Sequence, residues 1–167
     1  MVYLLVNGTV PVYSIAMSHG STVATLDGEM PSAHRAVLRF EWFERLEDIE
    51  RLEARWRGLE ERVRERMAFG SYDYVIAWYR HHAAVQGKPL VGTAWRDSEL
   101  VGIAPLVSRR ATLSRVPVRR VDCAGHEGDI GELLIPDDEI EALEGLLDSL
   151  IQRGGMDAVV LKGLSPG

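Results

Sequence analysis

Cysteine and lysine are nearly missing from this chain. Its one cysteine, Cys123, rules out an intrachain disulfide, and no thiol and histidine cluster has the spacing of a structural zinc site. A reducing, cytoplasmic setting is the expectation. Lysine occurs only at Lys88 and Lys162 among 19 basic residues, a skew read as codon usage rather than chemistry. Positive charge is also in deficit: the net charge is -6, so no global field favours polyanions, and nucleic acid is not the expected partner. Nor is there an unbroken apolar run of the roughly 18 to 20 residues that a membrane span needs. Walker A, CxxC and HExxH motifs are all absent. What remains is 167 residues, 46% hydrophobic, enough for one domain with a real core.

The first formally charged side chain is Asp27, which sets the start of the chain apart. Within it, Asn7-Gly8 between apolar segments is a turn signal, so Val2 to Ile15 reads as a hairpin weakened by Pro11. The acceptor triplet Asn7-Gly8-Thr9 would matter only in a secreted chain, and neither a basic n-region nor a continuous h-region is present. Asp27 to His34 reads as a linker. Residues 1–34 are therefore expected to be peripheral and 35–167 to form the domain; Met17 and Met30 are possible later starts.

Val37 to Phe43 reads as a strand running into a helix. Ile49, Leu52, Trp56, Leu59 and Val63 recur at three and four residues and form one helical stripe beneath a solvated charged face. Ser71 is placed to cap a second helix ending near Gln86, before Gly87 and Pro89. Leu90 to Trp95 and Leu100 to Val107 suggest a hairpin with a four-residue loop at Arg96 to Glu99, followed by strands at Val116 to Cys123 and Leu133 to Ile135. A last helix opens at Pro136-Asp137-Asp138, with Ile140, Leu143, Leu147, Leu150 and Ile151 as its buried stripe, and a strand follows at Ala158 to Leu161. This succession implies an α/β (α+β) layered domain with a mixed, mainly antiparallel sheet flanked by helices.

The fullest polar constellation is Gly125-His126-Glu127-Gly128-Asp129-Ile130-Gly131-Glu132. Its glycines allow close backbone approach to a ligand, His126 exchanges a proton near neutral pH, and Asp129 can orient it. The same segment also reads as a solvated, glycine-rich turn. Arg109, Arg110, Arg115, Arg119 and Arg120 form a second group. Guanidinium groups bind phosphate or carboxylate in bidentate fashion, but charges at strand edges also suppress sheet-to-sheet pairing. His81 and His82 are adjacent and so face different sides of a helix, which no one-face metal pair can do. Cys123 reads as a buried thiol, and Trp56, Trp78, Tyr72 and Tyr79 as core aromatics.

In order, Leu52 to Leu59 with its Trp56-x-x-Leu59, Phe69-Gly70-Ser71-Tyr72 leading to Trp78, Leu100-Val101-Gly102-Ile103-Ala104-Pro105-Leu106, and Gly125 followed by Asp129 resemble the N-terminal half of CelD-like and FemAB-like proteins of the GNAT acyltransferase superfamily. The resemblance spans about residues 36–164. It implies a GNAT-like fold used in cell-envelope, exopolysaccharide or peptidoglycan chemistry, with two such halves side by side. It further implies acetyl-CoA or another acyl-CoA as donor and a small-molecule, glycan or peptide amine as acceptor. His126 and Asp129 become the catalytic candidates, with Arg119, Arg120 and Gly125 as substrate-binding ones. The superfamily's Arg/Gln-x-x-Gly-x-Gly/Ala diphosphate loop has no counterpart: Arg109 to Ser114, the segment standing after the Leu100 strand, has no glycine. A second half, or a homodimer partner, is then expected to complete the donor site. The alternative is a non-catalytic, truncated or degenerate module that binds a protein partner or glycan.

Overall fold

The computed structural model describes residues 2–5, 37–64, 68–113, 115–125 and 132–161. Its ten principal elements are β1 (Val2–Leu5), β2 (Leu38–Phe43), α1 (Leu46–Glu50), α2 (Glu53–Glu60), α3 (Tyr72–Gln86), β3 (Lys88–Arg96), β4 (Glu99–Leu113), β5 (Val116–Cys123), α4 (Ile140–Arg153) and β6 (Ala158–Leu161). The strands form one sheet in the order β1-β6-β5-β4-β3-β2. All neighbours are antiparallel except β5 and β6, which are parallel and joined through α4. This is the layered, mainly antiparallel α/β arrangement expected from the element order.

The sheet is covered on both faces. Ile49, Leu52, Trp56 and Leu59 from α1 and α2 join Val75, Trp78 and Tyr79 of α3 against Val91, Trp95 and Ile103. On the other face Ala142, Leu146 and Leu150 of α4 meet Leu90, Ala94, Leu106, Val121 and Val159. Strand periodicity explains the division, since successive residues of β3, β4 and β5 feed opposite cores.

Several boundaries differ from the sequence reading. The stripe from Ile49 onward is one buried face but two helices: Leu52 N–H bonds the Ile49 carbonyl at 3.0 Å, an i−3 turn, before Trp56 N–H resumes the α pattern on Leu52 at 2.8 Å. The α3 bounds agree, and Ser71 Oγ accepts the Tyr74 N–H at 3.4 Å as the cap. The β3–β4 connection has two residues, not four, because Arg96 pairs with Glu99 and Asp97 takes a φ of +56°, which aspartate tolerates better than most residues. Leu133 to Ile135 makes a single bridge, Leu134 to Ile103, in place of a strand. Helix α4 begins at Ile140, beyond Asp137 and Asp138. It buries Ala142, Leu146 and Leu150 and leaves Ile140 exposed. The small residues Ala142 and Gly145 bring this helix close to the sheet, and a Cβ at Gly145 would lie 2.1 Å from Phe40 Cζ.

At the amino end, Val2–Leu5 pairs with β6 at the rim of the sheet. The other arm of the expected hairpin and the Asp27 to His34 linker lie outside the described residues.

Candidate functional site

The sheet changes from antiparallel to parallel pairing at β5, and segments that leave such ordered strands commonly carry binding residues. The chain leaves β5 there through Ala124 and Gly125. Ala124 N–H donates to the Pro105 carbonyl at 2.9 Å, and Gly125 has φ +150°, a conformation that favours glycine. The return is held by reciprocal bonds of 2.9 Å between Leu134 and Ile103. Both ends of the intervening segment are thus fastened to β4, at residues belonging to Val101-Gly102-Ile103-Ala104-Pro105-Leu106.

The last member of the polar constellation, to which the sequence reading gave no role, secures the same place. Glu132 is buried, and its Oε2 accepts the Gly70 N–H at 2.8 Å. The Gly70 carbonyl accepts Trp56 Nε1–H at 3.0 Å, while Glu60 Oε1 accepts the Tyr72 N–H at 2.7 Å. A Cβ at Gly70 would stand 2.8 Å from Glu132 Oε2, so glycine is required for this approach. The Trp56-x-x-Leu59 helix, the Phe69-Gly70-Ser71-Tyr72 connection and the end of the glycine-rich segment therefore form one hydrogen-bonded unit.

His126 and Asp129 lie outside the described residues. Arg119 and Arg120 are placed, and they are not brought together with Gly125 or with each other. At ~3.3 Å per residue, Arg120 stands ~16 Å along the strand from Gly125. Being consecutive in β5, the two arginines face opposite sides of the sheet. Arg120 Nε donates to Asp122 at 2.9 Å, and Arg109 Nε reaches the same carboxylate at 2.7 Å. The guanidinium of Arg119 is exposed on the α4 face, while its backbone N–H and carbonyl are bound to Asp157 at 2.6 and 2.8 Å. Arg109 to Leu113, which follows the Leu100 to Val107 segment where a diphosphate loop would stand, is the second half of β4, its backbone engaged in the β5 ladder. That segment does not fit the diphosphate of an acyl-CoA.

Other groups have structural roles. Tyr79 is fully buried and donates its phenol to the Leu106 carbonyl at 2.7 Å; loss of solvation pushes its pKa well above the ordinary 10.0. Arg57 grips Asp73 at 2.7 and 3.0 Å, which holds that carboxyl below its usual value of 3.8 and ties α2 to α3. His82 packs against Trp78 with ring centroids 6.0 Å apart, and His81 is exposed. Among the described residues no group of three or more His, Cys, Asp or Glu is placed to hold a metal, and no helix is long and apolar enough to cross a membrane.

No family model matches the chain, and no curated protein matches it. Solved structures with a similar course of the backbone include the C-terminal domain of a protein named as a lysylphosphatidylglycerol synthetase from Agrobacterium fabrum, at 14% identity and TM-score 0.45, covering 75% of this chain and 36% of that one. An aminoglycoside acetyltransferase from an uncultured soil metagenomic sample is similar at 10% identity and TM-score 0.39 in its trehalose complex, and at 11% and 0.39 with sisomicin. In both cases 75% of this chain and 77% of that one are covered. The chain spans about a third of the length of the first of these structures.

Proposed function

We propose that this chain is a GNAT-like, N-acyltransferase-related domain that supplies the acceptor-side wall of a site completed by a second α/β half. The observation that supports it is the linkage of the motifs carrying the sequence resemblance. Trp56 bonds Gly70, Gly70 bonds Glu132, and Ile103 and Pro105 fasten the two ends of the glycine-rich segment. Motifs spread over some eighty positions converge on the carboxyl end of β5, where a scaffold of ordered elements would position a binding loop.

In this reading His126 takes the proton of an amine acceptor, Asp129 orients the imidazole, and Gly125 lets the acceptor approach the main chain. An acyl-CoA, when bound, would supply the thioester carbonyl. The segment after Val107 is strand and offers no main-chain loop for its diphosphate, so its binding is assigned to the second half.

Calorimetric titration with acetyl-CoA tests the proposal on the chain alone and on the chain extended by the reading frame that follows codon 167. Acylation of an amine by acetyl-CoA, followed in the same samples, is expected only in the extended form and should fall about a hundredfold in His126→Ala. Failure of both forms to bind acetyl-CoA overturns the acyl-transfer reading, and acylation by the chain alone overturns the need for a second half.

A further inference from the structure

At the opposite end of α4 from the glycine-rich segment lies an open cleft of about 990 Å³. It is bounded by the start of β3, the middle of β4, β5 near Arg119, and the exit of α4 at Arg153, Gly154 and Gly155. Five basic residues and one acidic one line it, on a chain whose net charge is -6. The carboxylate, Glu44, is already paired with Arg153. Arg109 is committed to Asp122.

The side chains of the remaining three, Lys88, Arg110 and Arg119, form no ion pair among the described residues, the Asp157 carboxylate accepting only the main-chain N–H of Arg119. They share one face of three adjacent strands, because Lys88 is in register with Ser108 and Arg110 with Arg119, and Leu90, Leu106 and Val121 of the same face enter the α4 core. A Cβ at Gly155 would lie 3.6 Å from Arg119 Nη1, so this guanidinium stands beside the glycine exit of the helix.

The two faces of the β4–β5 ribbon differ in how they treat their charges. On each face two arginines sit directly opposite one another, an arrangement that is unfavourable across a ladder. On the α1–α3 face the pair is Arg109 and Arg120, and Asp122 bridges both. On the α4 face the pair is Arg110 and Arg119, and no carboxylate among the described residues performs that task. Solvent screens part of the repulsion, yet the pair faces a cleft of ligand size with Lys88 at its edge.

From this we infer that the cleft binds a phosphate group, which takes the place that Asp122 holds on the other face. Two guanidinium forks and an ammonium offer more donors than the two oxygens of a carboxylate can take up, and match the tetrahedrally disposed oxygens of a phosphate group better. The carbonyls at the end of α4 oppose an anion and Arg153 in its last turn is paired with Glu44, so attraction rests on Lys88, Arg110 and Arg119. The volume admits a small organic phosphate or the headgroup of one phospholipid. The inference is independent of the acyl-transfer reading, since it uses none of its residues except Arg119 and lies at the other end of α4.

The test is titration of the 167-residue chain with sodium pyrophosphate at low ionic strength, followed by calorimetry and by the thermal midpoint. Arg110→Glu, Arg119→Glu and an exposed control, Arg51→Gln, are compared with the wild type. Wild type and Arg51→Gln are expected to bind and to gain thermal stability with the ligand. Each charge reversal installs the missing cross-strand partner, so both variants should lose about tenfold or more in affinity. Arg110→Glu, which is not adjacent to Asp157, should also start from a higher midpoint without ligand. Flotation with phosphatidylcholine vesicles, with and without phosphatidylglycerol, separates the sources. Capture by the anionic vesicles that is lost in both reversals assigns the phosphate to a lipid headgroup, and pyrophosphate binding without flotation assigns it to a soluble molecule. Equal affinity of the reversals and wild type, or binding of neither probe, overturns the inference. So does affinity that falls as much in Arg51→Gln as in the reversals.

Discussion

Two buried polar side chains in this fold hold main-chain groups far away in the sequence: Tyr79 donates to the Leu106 carbonyl and Glu132 accepts from the Gly70 N–H. The raised pKa of Tyr79 has a definite sign for stability. Its contribution is complete below the ordinary phenol value of 10.0 and is lost as pH rises past it, because the unfolded phenol ionises while the buried one stays neutral. Tyr79→Phe should therefore cost about 1 kcal/mol near neutral pH, for the lost bond to Leu106. The deficit should close about one pH unit above the ordinary phenol value. Urea melts of both proteins from neutral to strongly alkaline pH measure this; parallel curves would contradict the assignment. Neither residue's partner is legible in the sequence, since Gly70 and Glu132 are 62 positions apart and no local pattern records such a pairing. The separation of Arg119 from Arg120, by contrast, follows from strand alternation alone.

Among the elements, those whose packing is local are the most legible. The bounds of α3 agree because a serine cap and a glycine stop enclose a clear period, and β5 agrees because both of its ends are marked by turns. The break between α1 and α2 leaves no mark, as an i−3 turn at Leu52 preserves the same buried stripe. Turn lengths escape the sequence where Asp97 and Arg115 adopt positive φ without being glycine. Glycines within helices give a sharp contrast at this scale. At Gly58 of α2 a methyl group would meet nothing within 4 Å, whereas Gly145 of α4 faces the Phe40 ring. Gly58→Ala should stabilise by about 0.5–1 kcal/mol through helix propensity. Gly145→Ala should destabilise by about 1–3 kcal/mol, because Phe40 or the helix must move. Chemical denaturation of the two single variants, with opposite signs of change, checks the packing of α4 on β2.

For the whole molecule, the sheet joins distant parts of the chain: β1 closes on β6, four register pairs linking the first residues to the last described strand. A chain beginning at Met30 would lack β1 and leave β6 as an outer strand of four apolar residues, Ala158 to Leu161. Such an edge pairs readily with another copy. Analytical ultracentrifugation should show more self-association for the shortened chain than for the full one at equal concentration, and identical sedimentation would argue against a structural part for Val2–Leu5. The fold class is legible as the alternation of strands and helices, but this closure is not, because strand order is a property of the assembled sheet.

The double fastening of Ala124 and Leu134 to β4 has a consequence for changes in the segment it holds. Its anchor points, Pro105 and Ile103, are two residues apart on one rigid strand. The span between Gly125 and Glu132 can change in length with no register shift in the sheet so long as Glu132 keeps its bond to Gly70, and each doubling of that length costs only about 0.6 kcal/mol in closure entropy. A change between these two points is absorbed where it occurs, and the strand pairing beneath it is left as it was.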